Sequence, residues 1–205
     1  MRRRTLLSLV ALTPALAPAL APLLVPASAR AEDPRLTERA VGNADAKVQV
    51  IECFSLTCTH CAAFAHETYP EIKTKLIDTG KIHYIFHDFP LDQVALTAAM
   101  VARALPPARY EPFIMALFAS QDRWAFAQGV NSTDEIWKIA ALAGMTRATF
   151  DATIADSTFR DAILARQKAD AAKWGIDSTP TFVINGEKHA GEMNYETFAK
   201  LIPDA

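Results

Sequence analysis

A strand that runs straight into a paired-cysteine motif is the feature that most constrains this chain. Residues 47–54 read KVQVIECF, an apolar run rich in β-branched side chains. The run ends at Ser55, and Cys58-Thr59-His60-Cys61 then opens an apolar, helix-prone stretch that Gly80 closes. Pro70 lies inside that stretch and is expected to kink or split the helix, because it removes a backbone donor and crowds the preceding turn. Residues 81–87, KIHYIFH, alternate as a second strand. Strand, helix and strand of these lengths make a βαβ unit with a parallel pair and a right-handed crossover.

The character then changes. Alanine-rich segments with helical spacing fill residues 91–174, and no strand pattern interrupts them. Ser132 with Glu135 forms a capping-box pattern, Gly144 and Gly175 stand where helices end, and the longest helix is expected over 157–174. Beyond it, two short β runs, 181–184 and 187–190, flank Asn185-Gly186, the strongest local hairpin signal. A final helix is expected over about 194–202. The order is βαβ, a helical block, then ββα. The fold class is therefore α/β, and without the block βαβ–ββα is the thioredoxin arrangement.

The amino-terminal residues read as an address. Arg2, Arg3 and Arg4 precede an uncharged apolar run from Leu6 to about Ala27, and Ala29-Arg30-Ala31 offers small residues where a signal peptidase cuts. A membrane anchor is the competing reading. It is disfavoured by Pro14, Pro18, Pro22 and Pro26, each of which costs a helical hydrogen bond. The reading is a signal peptide over 1–31, cleaved after Ala31. Arg3-Arg4-Thr5-Leu6-Leu7 also loosely resembles a twin-arginine signal. Export places the remainder where disulfides persist, in the periplasm. Thioredoxin-fold segments are assigned to 32–90 and 175–205, and the helical insertion to 91–174. With 205 residues and a net charge of -2, the chain supports one core and excludes a binder that relies on a broad basic surface, so no nucleic-acid partner is expected.

The chemistry lies at the helix start. There Cys58 meets unpaired backbone N–H groups and the positive end of the helix dipole, which favour the nucleophilic thiolate. Two intervening residues let Cys61 reach the Cys58 sulfur within one turn. A static disulfide has no need of this location. A zinc site wants a second ligand pair at regular spacing, which the sequence lacks. The Cys58–Cys61 pair is therefore the redox group itself, with no metal and no external cofactor. The His60 imidazole can donate to the thiolate and, when protonated, add positive charge; an exposed histidine is the bland alternative. Thr59 offers a hydroxyl.

Alternation puts Val48, Val50, Glu52 and Phe54 on one strand face and Gln49, Ile51 and Cys53 on the other. A carboxylate on the buried face is costly unless paired or neutral. Glu52, six residues ahead of Cys58, can lie behind the helix and exchange a proton with Cys61. The alternatives are an acid that reaches solvent or one paired with a lysine. In Ser178-Thr179-Pro180-Thr181, proline at the start of a strand is tolerated anyway. A cis Thr179–Pro180 bond would instead turn the Thr179 backbone outward, ready to pair with an extended peptide. Cys53 reads as a buried small hydrophobe that stays reduced. His66, His83, His87 and His189 show no ligand spacing. Trp124, Trp137 and Trp174 read as core.

Taken in order, ECFSLTCTHCAAF, HDFPLD, a helical insertion and STPTFVING resemble the DsbA-type thiol:disulfide oxidoreductases, from about Val41 to the chain end. The resemblance implies a thioredoxin fold with an inserted helical subdomain. It implies that Cys58 is the attacking cysteine, Cys61 the resolving one, Glu52 the buried acid and Pro180 a cis-proline beside the site. Thr59, Thr179 and Pro180 would then face substrate. It further implies disulfide donation to newly exported, cysteine-containing proteins and reoxidation by a quinone-linked membrane partner of the DsbB type. Thr59 stands where the best-known oxidases carry proline, and Thr179 where they carry valine; both departures bear on oxidising strength. The leading expectation is a monomeric exported dithiol oxidase. A reductase or isomerase on the same scaffold, and an exported Cu(I)-handling protein, are the alternatives.

Overall fold

A computed structural model describes residues 33–203, so the expected signal peptide lies outside the described residues. Short strand β1 is Arg39–Gly42 and β2 is Val48–Phe54. Helix α1, Thr59–Glu67, stops at Thr68, and α2, Tyr69–Ile72, restarts with Pro70 in its first turn, where a missing N–H costs nothing. The π-helical turn Lys73–Ile77 follows. Pro70 thus splits the helix rather than kinking it. Strand β3 is Ile82–Asp88.

The helical block comprises α3 (Gln93–Ala104), α4 (Pro107–Ala119), α5 (Gln121–Trp124), α6 (Ser132–Leu142), α7 (Arg147–Ala155) and α8 (Ser157–Trp174). The cap of α6 corrects the expected capping box. Asn131 is the N-cap, and its side chain accepts from the Thr133 and Asp134 N–H groups at 2.9 and 3.4 Å. Ser132 is therefore already inside the helix. Strands β4 (Thr181–Ile184) and β5 (Glu187–Ala190) enclose Asn185-Gly186, with φ of 49° and 90°, the left-handed pair that a tight hairpin needs. Helix α9, Tyr195–Ala199, is shorter than the expected span.

The sheet order is β1-β3-β2-β4-β5, with β2 and β3 parallel and the other pairs antiparallel. β1 adds an edge strand to the expected βαβ–ββα order. It ends at Gly42, with φ of 91°, where a Cβ would sit 2.6 Å from the Ile82 carbonyl oxygen. One face of the sheet carries the main core, with Val50, Phe54, Tyr84, Phe86 and Phe182 packed beneath Phe64 of α1 and Phe198 of α9. The opposite face carries a smaller cluster of Cys53, Phe89, Ile176 and Val183, with Trp174 of α8 against it. Trp124 is fully buried, whereas Trp137 and Trp174 are only half-buried.

The helical block is anchored to the end of β3 by a buried ion pair. The Arg103 guanidinium donates to Asp88, which also accepts from the Tyr110 hydroxyl at 2.9 Å. Arg39 of β1 donates to the Arg103 carbonyl at 3.0 Å. The Arg103 and Asp88 charges persist this deep because they are paired with each other and hydrogen-bonded.

Candidate active site

The site forms where β2 ends and α1 begins. Cys58 is the N-cap of α1 and has extended backbone dihedrals. Its sulfur therefore stands over the first turn and accepts from the Cys61 N–H at 3.4 Å. The thiol donates to the Thr179 carbonyl at 3.3 Å, on the neighbouring loop, where the Thr179–Pro180 peptide is cis. The Thr179 hydroxyl is buried with no partner among the described residues. It can donate to the sulfur once the proton leaves.

These contacts act in one direction. The Cys58 thiol is lowered to about 5, first because the Cys61 thiol donates to it. Burial opposes the shift, and the Thr179 side chain and the backbone N–H groups of Cys61 and His60 add to it. Cys61 moves the opposite way: burial pushes it up, and its donation to Cys58 and the charge of Glu52 reinforce this. The two sulfurs are thus unequal. Cys58 is half-buried and holds a thiolate, while Cys61 is fully buried and holds its proton.

Behind them lies Glu52, on β2 and only 2% exposed. The Tyr84 hydroxyl donates to its Oε2 at 2.8 Å, while Oε1 has no partner among the described residues. No lysine pairs with it there, and it does not reach solvent. Burial raises its carboxyl to about 7, against the pull of the Tyr84 bond and with the support of the Cys58 charge. Such a group can hold or release a proton near neutral pH.

His60 and Thr59 both lie at the exposed start of α1. The His60 side chain is 69% exposed, and its Nδ1 lies 3.2 Å from Glu192 Oε1, beyond β5. What this residue gives Cys58 is its backbone N–H, so the expected imidazole donation gives way to main-chain donation. The Thr59 side chain is exposed at the helix start. Pro180 is buried and Thr179 half-buried.

Gln121 and Tyr84 escaped the sequence reading. The buried Gln121, from α5, donates through Nε2 to the carbonyls of Leu56 at 2.8 Å and Cys58 at 3.1 Å. It fastens the helical block to the loop that carries the cysteine, and only the tertiary fold reveals this. Tyr84 carried a faint signal, a polar-tipped ring on the core face of an apolar strand that must find a partner. Beside the site, a groove of about 260 Å³ runs between α1 and the segment after β5, lined by Phe64, Glu67, Thr68, Glu192 and Met193. Leu91, 55% exposed, lies in the loop after β3, where its N–H donates to the Ser55 hydroxyl at 3.3 Å.

Comparison with known proteins gives a consistent family. The thioredoxin family profile matches residues 35–204. The crystal structure of alpha-DsbA1 from Wolbachia pipientis is similar with a TM-score of 0.75 and 34% identity, covering 82% of this chain and 89% of that one. A protein-disulfide isomerase structure from Novosphingobium aromaticivorans shares the fold, with a TM-score of 0.69 and 23% identity over 80% of this chain and 97% of that one. A curated relative from Rickettsia bellii, provisionally named protein-disulfide oxidoreductase, is 29% identical over 150 residues, 73% of this chain. The chain spans 57% of that relative's length.

Proposed function

The chain belongs to the thioredoxin family, among its DsbA-type thiol:disulfide oxidoreductases, and on that footing we propose that it is an exported dithiol oxidase that donates disulfides to newly exported proteins. The observation that carries this reading is the inequality of the two sulfurs. A thiolate stabilised at Cys58 makes the reduced form stable, and a stable reduced form makes the disulfide a strong oxidant.

The geometry supports this sequence of steps. A substrate thiolate attacks Cys58 of the oxidised pair; the substrate–Cys58 bond forms, the Cys58–Cys61 bond breaks, and Cys61 leaves as a thiolate. The Glu52 carboxyl supplies the proton that Cys61 retains. A second substrate thiolate then attacks the substrate sulfur and expels Cys58, whose low pKa makes it a good leaving group. Two electrons pass from the substrate dithiol to the enzyme. Thr179, half-buried beside Cys58, is suited to pair with the substrate backbone, and Thr59 lies on the exposed rim. His60 contributes its backbone N–H. A quinone-linked membrane partner of the DsbB type accepts the electrons. The basic, then apolar, sequence of residues 1–31 supports export to the periplasm.

The test is linkage between thiol ionisation and stability. Because the folded Cys58 pKa is lowered, its stabilisation of the reduced protein is fully present above about 8.5, the unfolded value, and is lost as pH falls through about 5. Oxidised protein lacks this titration, and Glu52 titrates in both forms. The urea midpoint of reduced minus oxidised protein is therefore expected to climb between pH 5 and about 8.5. A flat difference across that window would remove the thiolate as the source of oxidising power.

A further inference from the structure

On the face of the sheet turned away from α1, three elements bring a thiol, an imidazole and a carboxylate together. Cys53 of β2 and His87 of β3 are register partners in the parallel pair, and Asp170 projects from α8, which packs over them. One ligand atom from each of the three lies within 4.8 Å of those of the other two. His87 Nδ1 is already 2.7 Å from Asp170 Oδ2. We propose that Cys53, His87 and Asp170 form a zinc site.

The donor set selects the ion. Calcium and magnesium want oxygen throughout, and Cu(I) wants more sulfur; one thiolate, one imidazole and one carboxylate suit the borderline Zn²⁺. Bonds of about 2.3 Å to sulfur and about 2.0–2.1 Å to nitrogen and oxygen set ligand atoms roughly 3.3–3.6 Å apart in a tetrahedron. Cys53 must therefore draw in, and the His87–Asp170 pair must open by about half an ångström. A recess of about 10 Å³ beside His87 and Asp170, lined also by Asp88, Arg103, Ile163 and Arg166, has room for about one water. Of the arginines in its wall, Arg103 is paired with Asp88, and Arg166 donates to the Leu36 carbonyl. The Trp174 ring, 6.2 Å from that of His87, helps to shield the site.

Binding releases the Cys53 proton and leaves a zinc–thiolate bond, with no change in oxidation state. The redox chemistry makes no use of Cys53. The ion would pin the longest helix of the inserted block to the two parallel strands. The ligands, at positions 53, 87 and 170, have no local spacing, so no sequence motif announces them.

The test uses the whole protein with Cys58 and Cys61 oxidised to a disulfide, which leaves Cys53 as its only thiol. Co²⁺, the spectroscopic stand-in for zinc, is expected to bind one-to-one with a thiolate charge-transfer band and to be displaced by Zn²⁺. The Cys53→Ala variant should lose the band. Asp170→Asn should weaken binding at least about tenfold, since even outer-shell partners of a metal site are worth 10–100-fold; it keeps the test readable should Cys53→Ala not fold. Absence of the band at millimolar Co²⁺, its survival in Cys53→Ala, or unchanged affinity in Asp170→Asn would each overturn the assignment.

Discussion

Cys58→Ser is expected to abolish disulfide transfer, whereas Cys61→Ser should accumulate a covalent complex with substrate. The difference follows from where each sulfur stands. Cys58 is half-buried at the mouth of the helix, with donors from Cys61, Thr179 and the main chain around it, so it is the sulfur that substrate can reach and the one that ionises. Serine there leaves no nucleophile or leaving group of comparable acidity. Cys61 is fully buried behind it and keeps its proton, so it meets only sulfur already bonded to Cys58. Without Cys61 a mixed disulfide at Cys58 has no internal thiol to release it. Non-reducing electrophoresis after incubation with a reduced, unfolded client reads both outcomes. Equal trapping by the two variants would reverse the assignment of the cysteines.

Glu52→Gln should have the next largest effect, in two separable ways. Glutamine keeps the shape and can still accept from the Tyr84 hydroxyl, but it cannot hold a transferable proton. Resolution of a glutathione mixed disulfide at Cys58 requires Cys61 to lose its proton. That step should slow by about 10²-fold or more, the ordinary worth of a positioned base. The second effect is on stability. The folded Glu52 pKa is raised to about 7, so stability is full below the unfolded value of about 4.3 and falls as pH rises toward 7. At about 1.36 kcal/mol per unit, the loss by pH 7 is about 3 kcal/mol. The variant should lack that loss, so oxidised Glu52→Gln should gain on oxidised wild type between pH 4.5 and 7. Parallel stability curves in that range, together with an unchanged resolution rate, would make Glu52 a bystander.

What could be read from the sequence was what local pattern encodes. Strand β2, helix α8 and the Asn185-Gly186 hairpin follow from alternation, helical spacing and a turn dipeptide, and their positions agree with the coordinates closely. Strand β1 did not show itself because four residues, Arg39–Gly42, hold too little alternation; its existence rests on pairing with β3 more than forty residues away. The α6 cap slipped by one residue because Asn131 and Ser132 are both good caps and only the chain path chooses between them. At the site, the helix start beside Cys58 is a sequence property, whereas the surroundings of Glu52 depend on Tyr84 across the sheet. The hold of Gln121 on the Cys58 carbonyl and of Glu192 on His60 likewise joins residues more than sixty positions apart. The same limit hid the approach of Asp170 to Cys53 and His87.

If a stabilised Cys58 thiolate makes this chain an oxidase, its reduction potential reports that most directly. The protein is equilibrated with glutathione buffers at pH 7, and the Cys58–Cys61 pair is read out by the mass shift of alkylated thiols. With Cys58 lowered to about 5, the potential should lie well above the glutaredoxin range of about -200 to -230 mV, toward the about -120 mV of a strong oxidant. A value near the about -270 mV of thioredoxin would contradict the account and make the chain a reductase on the same scaffold.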